Sequence, residues 1–335
     1  MAYRIVFMGS PQFAVPTLRR LLEAQKSVEG SVEESVAEPL AELVAEVVAV
    51  VTQPDRPKGR GQVLAPPAVK VEAMRAGVPV LQPPRLKAPE VAAQIAAFEP
   101  DAVVVAAYGQ ILPPEVLRIP ALGCLNVHAS LLPKYRGAAP VNWAIIRGEM
   151  VTGVTIMQMD AGLDTGDILL QQATPIGEAE TAEELTRRLA EAGAKLLIEA
   201  LRRLREGTLF RMPQNAEAAT LAPRLTKADG AIDWGRPAAC VCNRVRGVQP
   251  WPGAYTFLRG KMLKLFGCRR AEGEATAPGE VLGVGAEGLV VSTGEGRVAL
   301  AELQYEGGRR VSAASFGMGH PLPVGTILGT VGLKR

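Results

Sequence analysis

The stretch YRIVFMGSPQFAVPTLRRLL, residues 3–22, joins an apolar run of strand-forming residues to a helical pattern through Gly9, Ser10 and Pro11. Glycine and proline end the run, and the apolar positions that follow recur at helical spacing through Leu22. The same alternation continues through the first two-thirds of the chain. Further short apolar strands are expected at residues 47–52, 78–81, 102–107 and 125–128, with helices near 68–76 and 89–98. Strands that are apolar along their whole length and separated by helices imply a parallel sheet covered on both faces. Residues 155–159 and 168–174 read instead as a strand pair joined by a turn with two glycines, and are expected to add an antiparallel edge. Thr181 and Glu184 have the spacing of a capping box. The helix they open carries Leu185, Leu189, Leu197 and Leu201 at helical spacing, and Gly207 ends it.

Beyond residue 223 glycine and proline become frequent. Short strand patterns recur at 262–266, 279–284, 288–293 and 297–303, after one helix near 237–247. This rhythm predicts a small β-barrel. The expected organisation is an α/β domain with a mostly parallel sheet at 1–207, a linker at 208–223 and a barrel domain at 224–335. Residues 25–46 fit neither pattern. They carry six glutamates against one lysine and are expected to be an inserted acidic helix or loop.

Composition bounds the function. The chain has 335 residues, enough for two domains, and is 48% hydrophobic, enough for ordinary cores. No apolar run approaches the length of about 18 residues that a membrane span needs. Residues 1–8 are too short and too soon interrupted to be a signal peptide, so a cytoplasmic protein away from membranes is expected. Cys124, Cys240, Cys242 and Cys268 lack a second pair at zinc-ligand spacing, so free thiols and no metal are expected. From residue 211 onward there are 16 Lys and Arg against 10 Asp and Glu, while residues 1–210 have 21 against 24. A positive second domain suits a polyanionic partner.

The chain has only two histidines, His128 and His320. His128 stands at the end of an expected central strand in GCLNVHASLLPKYRGAAP, residues 123–140. Ligands of open parallel sheets bind beyond the carboxyl ends of the strands. Asn126, two residues earlier, lies on the same face of an extended segment. A carboxamide donor beside an imidazole suits a site that handles a developing oxyanion and a moving proton. Polar residues that merely cap a strand would look the same. The turn at 160–167 offers Asp160, Asp164 and Asp167. Such acids commonly satisfy turn backbone, but one that faced His128 would orient its ring and favour its charged form. The loop TQPDRPKGRG, residues 52–61, presents Arg56, Lys58 and Arg60 to solvent or to phosphates. Gly9, Ser10 and Pro11 do not make the dinucleotide fingerprint. His320 is expected to be structural, and Trp251 to lie in the barrel core.

Seven runs together resemble the 10-formyltetrahydrofolate-dependent transformylases. They are FMGSPQFAVPTL (7–18), TQPDRPKGRG (52–61), AAYGQILP (106–113), LNVHASLLPKYRGAAP (125–140), TGVTIMQMDAGLDTGDIL (152–169), LTKADGAIDW (225–234) and PWPGAY (250–255). The resemblance spans nearly the whole chain and implies a Rossmann-like formyltransferase domain followed by an OB-like barrel. It implies catalysis by Asn126, His128 and Asp164, with the acid at Asp164 rather than at Asp160 or Asp167. It places folate contacts at Ser130, Leu131, Leu132 and Pro133, and a pterin pocket lined by Tyr108, Gly109, Gln110 and Ile111. The donor would be 10-formyltetrahydrofolate, with no metal. The basic loop and the C-terminal runs narrow the resemblance to the branch that formylates initiator methionyl-tRNA, with Arg56, Lys58 and Arg60 meeting the tRNA. A monomer is the simplest expectation. Two alternatives stand beside this one: a formyltransferase acting on an amino sugar or on glycinamide ribonucleotide, and a non-catalytic RNA-binding protein. Residues 25–46 depart from the family, being longer than usual before the second strand, and six glutamates there would repel phosphate.

Overall fold

The computed structural model describes residues 2–29, 45–58 and 63–329. The backbone divides into two compact units, one of Met1–Ala138, Gly153–Thr174 and Thr186–Ala222, the other of Ala139–Thr152, Pro175–Leu185 and Pro223–Arg335. The first begins with β1 (Tyr3–Gly9), α1 (Val15–Glu29) and β2 (Ala45–Val51). A small hairpin of β3 (Arg56–Lys58) and β4 (Val63–Ala65) follows, then α2 (Ala68–Arg75), β5 (Val80–Leu81) and α3 (Pro89–Ala96). Next come β6 (Ala102–Ala106), α4 (Pro114–Leu117) and β7 (Cys124–His128). After α5 (Pro140–Ile146), which belongs to the second unit, β8 (Val151–Gln158), β9 (Ile168–Pro175) and α6 (Ala182–Arg205) continue the chain.

The sheet of the first unit has the order β5-β2-β1-β6-β7-β8-β9. From β5 to β7 all pairings are parallel, and β8 runs antiparallel to β7. The antiparallel edge expected from the sequence is therefore present. Every residue of β6 and β7 is buried, as a central parallel strand covered on both faces requires. The order reverses at β1, which has β2 on one side and β6 on the other, so the carboxyl ends of these strands open onto a switch point. Gly9 ends β1 there. A Cβ at this position would meet the carbonyl oxygen of Ala106 at 2.9 Å and Cβ of Ala14 at 2.8 Å, so glycine is what lets the chain turn so close to β6.

α6 opens with the expected capping box, in which Thr181 N donates to Glu184 at 2.9 Å and Glu184 N to Thr181 Oγ1 at 3.3 Å. Leu189, Leu197 and Leu201 are fully buried. Gly193 lies against the sheet. A Cβ there would meet Val127 Cγ1 at 2.6 Å and Val154 Cγ1 at 3.2 Å. A glycine inside a helix costs about 1 kcal/mol relative to alanine, and close seating on β7 and β8 is what that cost obtains. α1 runs on to Glu29 and β2 starts at Ala45. The acidic segment expected at 25–46 thus overlaps both elements, and its middle, 30–44, lies outside the described residues. Residues 208–222 group with the first unit and bridge back to it, Met212 to Ile168 and Leu221 to Arg136.

The second unit carries α7 (Ala238–Gly247), β10 (Tyr255–Leu258), β11 (Lys261–Ala271), β12 (Val281–Gly285), β13 (Gly288–Ser292), β14 (Arg297–Tyr305), β15 (Arg310–Ser312) and α8 (Ala313–Gly319). Its antiparallel sheet has the order β10-β11-β14-β13-β12, with β15 also on β14. Ile327 bridges Glu280 beside β12 and Gly329 bridges Phe257 in β10, so this short tail joins the two edges and closes the sheet into a barrel. Leu263, Leu265, Leu289 and Leu300 fill the core. Trp251, expected in that core, is instead 53% exposed. Its indole sits in a proline-flanked loop before β10, where no strand alternation turns it inward. His320 has a structural setting, its ring centroid 5.0 Å from that of Tyr305 and 4.9 Å from that of Phe316. All four cysteines are free, and Cys242 Sγ lies 2.9 Å from Cys268 Sγ rather than facing Cys240. Among the described residues no helix is long and apolar enough to cross a membrane.

Gly193→Val should lower the thermal midpoint, because overpacking of this kind costs about 1–3 kcal/mol. Calorimetry on the purified chain checks it, and an unchanged midpoint would mean that α6 can lift off β7 without penalty.

Candidate active site

Alternation along β7 turns Val127 toward α6 and sets Asn126 and His128 on the opposite face. Both are nearly buried, at 9% and 5% exposure. Polar groups so placed need partners, and two loops supply them. The loop after β7 returns the carbonyl oxygen of Tyr135 to within 3.0 Å of His128 Nε2. A carbonyl only accepts, so Nε2 carries a hydrogen and donates it. The other ring nitrogen, Nδ1, lies 3.6 Å from Asp164 Oδ2. Asp164 Oδ1 is 3.5 Å from Asn126 Nδ2. The carboxylate is anchored more tightly by the backbone N–H of Gly137, which donates to Oδ2 at 2.8 Å. An amide, a carboxamide and an imidazole thus surround one acid.

The turn that carries Asp164 divides its three acids by role. Asp160 accepts from Gly162 N at 2.9 Å and from Thr165 Oγ1 at 2.7 Å, so it satisfies the turn itself. Asp167 gives its carbonyl oxygen to Gln158 N at 2.9 Å. Asp164 alone of the three faces His128. It adopts a left-handed backbone, with φ of 52°, a conformation costing roughly 1–2 kcal/mol for an ordinary L-residue and less for Asp or Asn.

The loop after β7 is pinned from beneath by Thr155, which pairs with His128 in the β7–β8 register. Thr155 is fully buried. Its hydroxyl donates to Ser130 O at 2.7 Å and accepts from Leu132 N at 3.1 Å and Gln171 Nε2 at 2.9 Å. Gln171 also donates to Leu132 O at 2.8 Å. Ser130, itself fully buried, turns its hydroxyl to Lys134 O at 2.6 Å. Leu132 packs with Met157 and Ile168. Of the four positions at which folate contacts were expected, Leu131 and Pro133 remain half-exposed.

The loop of Tyr108, Gly109, Gln110 and Ile111 leaves β6 nearby. The Tyr108 ring goes into the core, 2% exposed, and burial pushes its hydroxyl up to about 12. Gln110 turns its side-chain oxygen to Leu86 N at 2.9 Å. Gly109 and Ile111 are left exposed, the latter at 67%. The basic loop runs into β3, which pairs antiparallel with β4. Arg56 is exposed, Lys58 ends β3, and Arg60 lies outside the described residues. Before it, Asp55 is held below the usual carboxylate range by the Gln82 amide and the Lys70 ammonium, which lie 2.8 Å from it.

Sequence reasoning gave no role to Thr155, Gln171 or Gln214, nor to the backbone groups of Tyr135 and Gly137. The backbone groups carry no residue-type signal. Gln214 comes from the stretch read as a linker, yet it donates to carbonyls of the Asp164 turn and accepts from Arg136.

Known proteins resemble this chain in sequence and in fold. A formyl transferase family model matches residues 5–201, and one for the formyl transferase C-terminal domain matches residues 224–321. A methionyl-tRNA formyltransferase of Citrifermentans bemidjiense is 51% identical over 326 residues, covering 97% of this chain and 96% of that protein. One from Geobacter sulfurreducens is 50% identical over 329 residues, covering 98% of each. Among solved structures, HypX from Aquifex aeolicus in complex with tetrahydrofolic acid superposes with a TM-score of 0.59 at 19% identity. The match covers 95% of this chain but 47% of that one, so this chain spans about half of HypX and the likeness is one of fold.

Thr155→Val keeps the volume but leaves Leu132 N and Ser130 O buried without this partner, a loss of about 1–3 kcal/mol. Unfolding in denaturant should show it, with Thr155→Ser close to wild type. Equal stability of the Val variant would mean that the hydroxyl does not hold the loop.

Proposed function

The chain belongs to the formyl transferase family, and from that premise we propose that it moves the formyl group of 10-formyltetrahydrofolate onto the α-amino group of initiator methionyl-tRNA. The product is N-formylmethionyl-tRNA, used to start translation. What carries this reading is the convergence of Asn126, His128 and Asp164 at the end of β7, in a chain half identical along its length to relatives named for that activity.

Bound beside this trio, a folate-derived donor supplies an electrophilic formyl carbon and a nitrogen leaving group. As the amine adds to that carbon, the formyl oxygen gains negative charge. Among the described residues the Asn126 carboxamide has only the long contact to Asp164, so it has a hydrogen to give to that oxygen. The His128 ring directs its Nε2 hydrogen at Tyr135 O and turns Nδ1 toward Asp164. Asp164 thereby orients the ring beside the developing oxyanion. A C–N bond forms at the amine, the C–N bond to the donor breaks, and the proton shed by the amine ends on the departing nitrogen. His128 and Asp164 are placed to pass it.

We assign this chemistry to residues 1–207 and tRNA binding to 224–335, joined through 208–223, with Arg56, Lys58 and Arg60 meeting the tRNA from the first domain. The excess of 16 basic over 10 acidic residues beyond position 210 supports that division. Folate contacts are assigned to Ser130, Leu131, Leu132 and Pro133 and to Tyr108, Gly109, Gln110 and Ile111. The enzyme is read as a cytoplasmic monomer. An amino-sugar or glycinamide ribonucleotide acceptor gives the positive excess beyond position 210 no polyanion to meet, and a purely RNA-binding role leaves the buried trio without a task.

Incubating the protein with 10-formyltetrahydrofolate and charged initiator tRNA, in competition with small amines, should give formyl transfer to the tRNA alone. Transfer to a small amine in preference would sink the reading. Asn126→Ala should lose about 10²–10³ in turnover, and His128→Ala roughly 10²–10⁴. Near-normal turnover in either folded variant would remove it from the mechanism. Replacing Arg56, Lys58 and Arg60 by Ala should weaken tRNA binding and flatten the plot of log affinity against log salt by roughly 0.9 for each phosphate no longer neutralised. An unaltered slope would place the hairpin away from the tRNA.

A further inference from the structure

We propose that Gln214 is a positioning residue that locks the two loops of the active site into one geometry, acting on His128 through Asp164. The proposal rests on the formyl-transfer reading above for its kinetic consequence, though not for its structural one. Gln214 comes from the stretch 208–222, far in sequence from both loops. Its carboxamide nitrogen donates to Asp164 O at 2.9 Å and to Gly166 O at 2.7 Å, one bond on each side of Thr165. Its carboxamide oxygen accepts from Arg136 Nε at 3.1 Å and from Arg136 Nη2 at 2.7 Å. Arg136 stands between Tyr135, whose carbonyl meets His128, and Gly137, whose N–H meets Asp164. One side chain therefore ties the turn that holds the acid to the loop that holds the imidazole.

The chemistry of the four partners admits few residues. Two backbone carbonyls can only accept and a guanidinium can only donate, so the group between them must give two hydrogens and receive two. A carboxamide does this with nothing left over, and the partners also fix which way it faces. Glutamate could take the arginine but would set a carboxylate oxygen against two carbonyl oxygens. Lysine could serve the carbonyls but would repel the arginine. Asparagine lacks the reach. The demand is sharpest at Asp164, whose left-handed backbone persists only while its surroundings over-determine it. Gln214 and the Gly137 N–H, which holds the carboxylate, supply that determination from two sides.

Gln214→Met, of similar length and without hydrogen-bonding groups, and Gln214→Glu, which keeps only the arginine half, test this. In formylation assays kcat should fall by about 10²-fold, the scale of a catalytic group displaced by 1 Å. KM for the donor and for the tRNA should stay within about twofold, since the uniform binding interactions are untouched. An unchanged kcat, or a raised KM for tRNA with kcat intact, overturns the proposal and makes Gln214 a ground-state contact. The structural half needs no substrate. With two histidines in the chain, nitrogen-15 imidazole spectra resolve His128 from His320, which lies in the other unit and serves as reference. In Gln214→Met the His128 ring signals and the Gly137 amide should shift while those of His320 stay in place. Unshifted signals defeat the proposal whatever the activity. Shifted signals in a protein whose wild type formylates nothing would leave the positioning intact and refute the functional reading alone.

Discussion

Two polar side chains buried at the end of an apolar strand set the terms for the rest of the first unit. Asn126 and His128 lie on β7, every residue of which is shielded from solvent. Leaving either unpaired would cost on the order of 1–3 kcal/mol. The structure meets this demand with backbone and one acid: Tyr135 O, then Asp164, itself secured by Gly137 N–H. Each of those groups sits in a loop that must be held in turn, by Thr155 and Gln171 below and by Gln214 between them. The order of dependence runs outward from the strand. It explains why residues with no chemistry of their own, such as Thr155 at full burial, are committed to hydrogen bonds there.

Most of the first unit was legible because burial and periodicity coincide in it. β1, β2, β6 and β7 are short and mostly apolar, and α6 shows its buried leucines at helical spacing, so pattern and environment agree. The hairpin of β3 and β4 was not legible. It is three residues on each side, polar in part and exposed, and nothing about its sequence demands a strand. The barrel was legible as a class and less so in detail. β10 and β15 are too short to show a period, and the closure by Ile327 and Gly329 depends on single bridges that no local pattern encodes. Trp251 was misread for a related reason. Large aromatic rings favour cores on average, but the residue stands in a loop with a proline on either side, where alternation gives no direction.

The site divides the same way. The spacing of Asn126 and His128, two apart on a strand, was enough to put them on one face. The acid could not be chosen from spacing, because Asp160, Asp164 and Asp167 all lie within one turn. Resemblance pointed to Asp164, and of the three it is the acid that faces His128. Asp160 spends its oxygens on Gly162 and Thr165, whereas the left-handed backbone at Asp164 swings its carboxylate back toward the sheet. Gln214 left no trace at all. A glutamine in an aperiodic, proline-marked stretch looks like solvent-facing linker, and its four bonds arise only once residues 208–222 return across the loops.

The loop after β6 shows how burial can remove a residue from chemistry while keeping it in place. Tyr108 carries a hydroxyl that could donate or accept, but its ring is inside the core and the hydroxyl has no protein partner among the described residues. With its ionisation pushed up to about 12, that group stays neutral across the range in which the chain operates. Gln110 has committed its side-chain oxygen to Leu86 N, and the Tyr108 carbonyl already accepts from Gln53 at 3.2 Å. What the loop can still offer is the exposed backbone at Gly109, the carboxamide nitrogen of Gln110 and the apolar side chain of Ile111. The buried Tyr108 ring anchors the loop against β6.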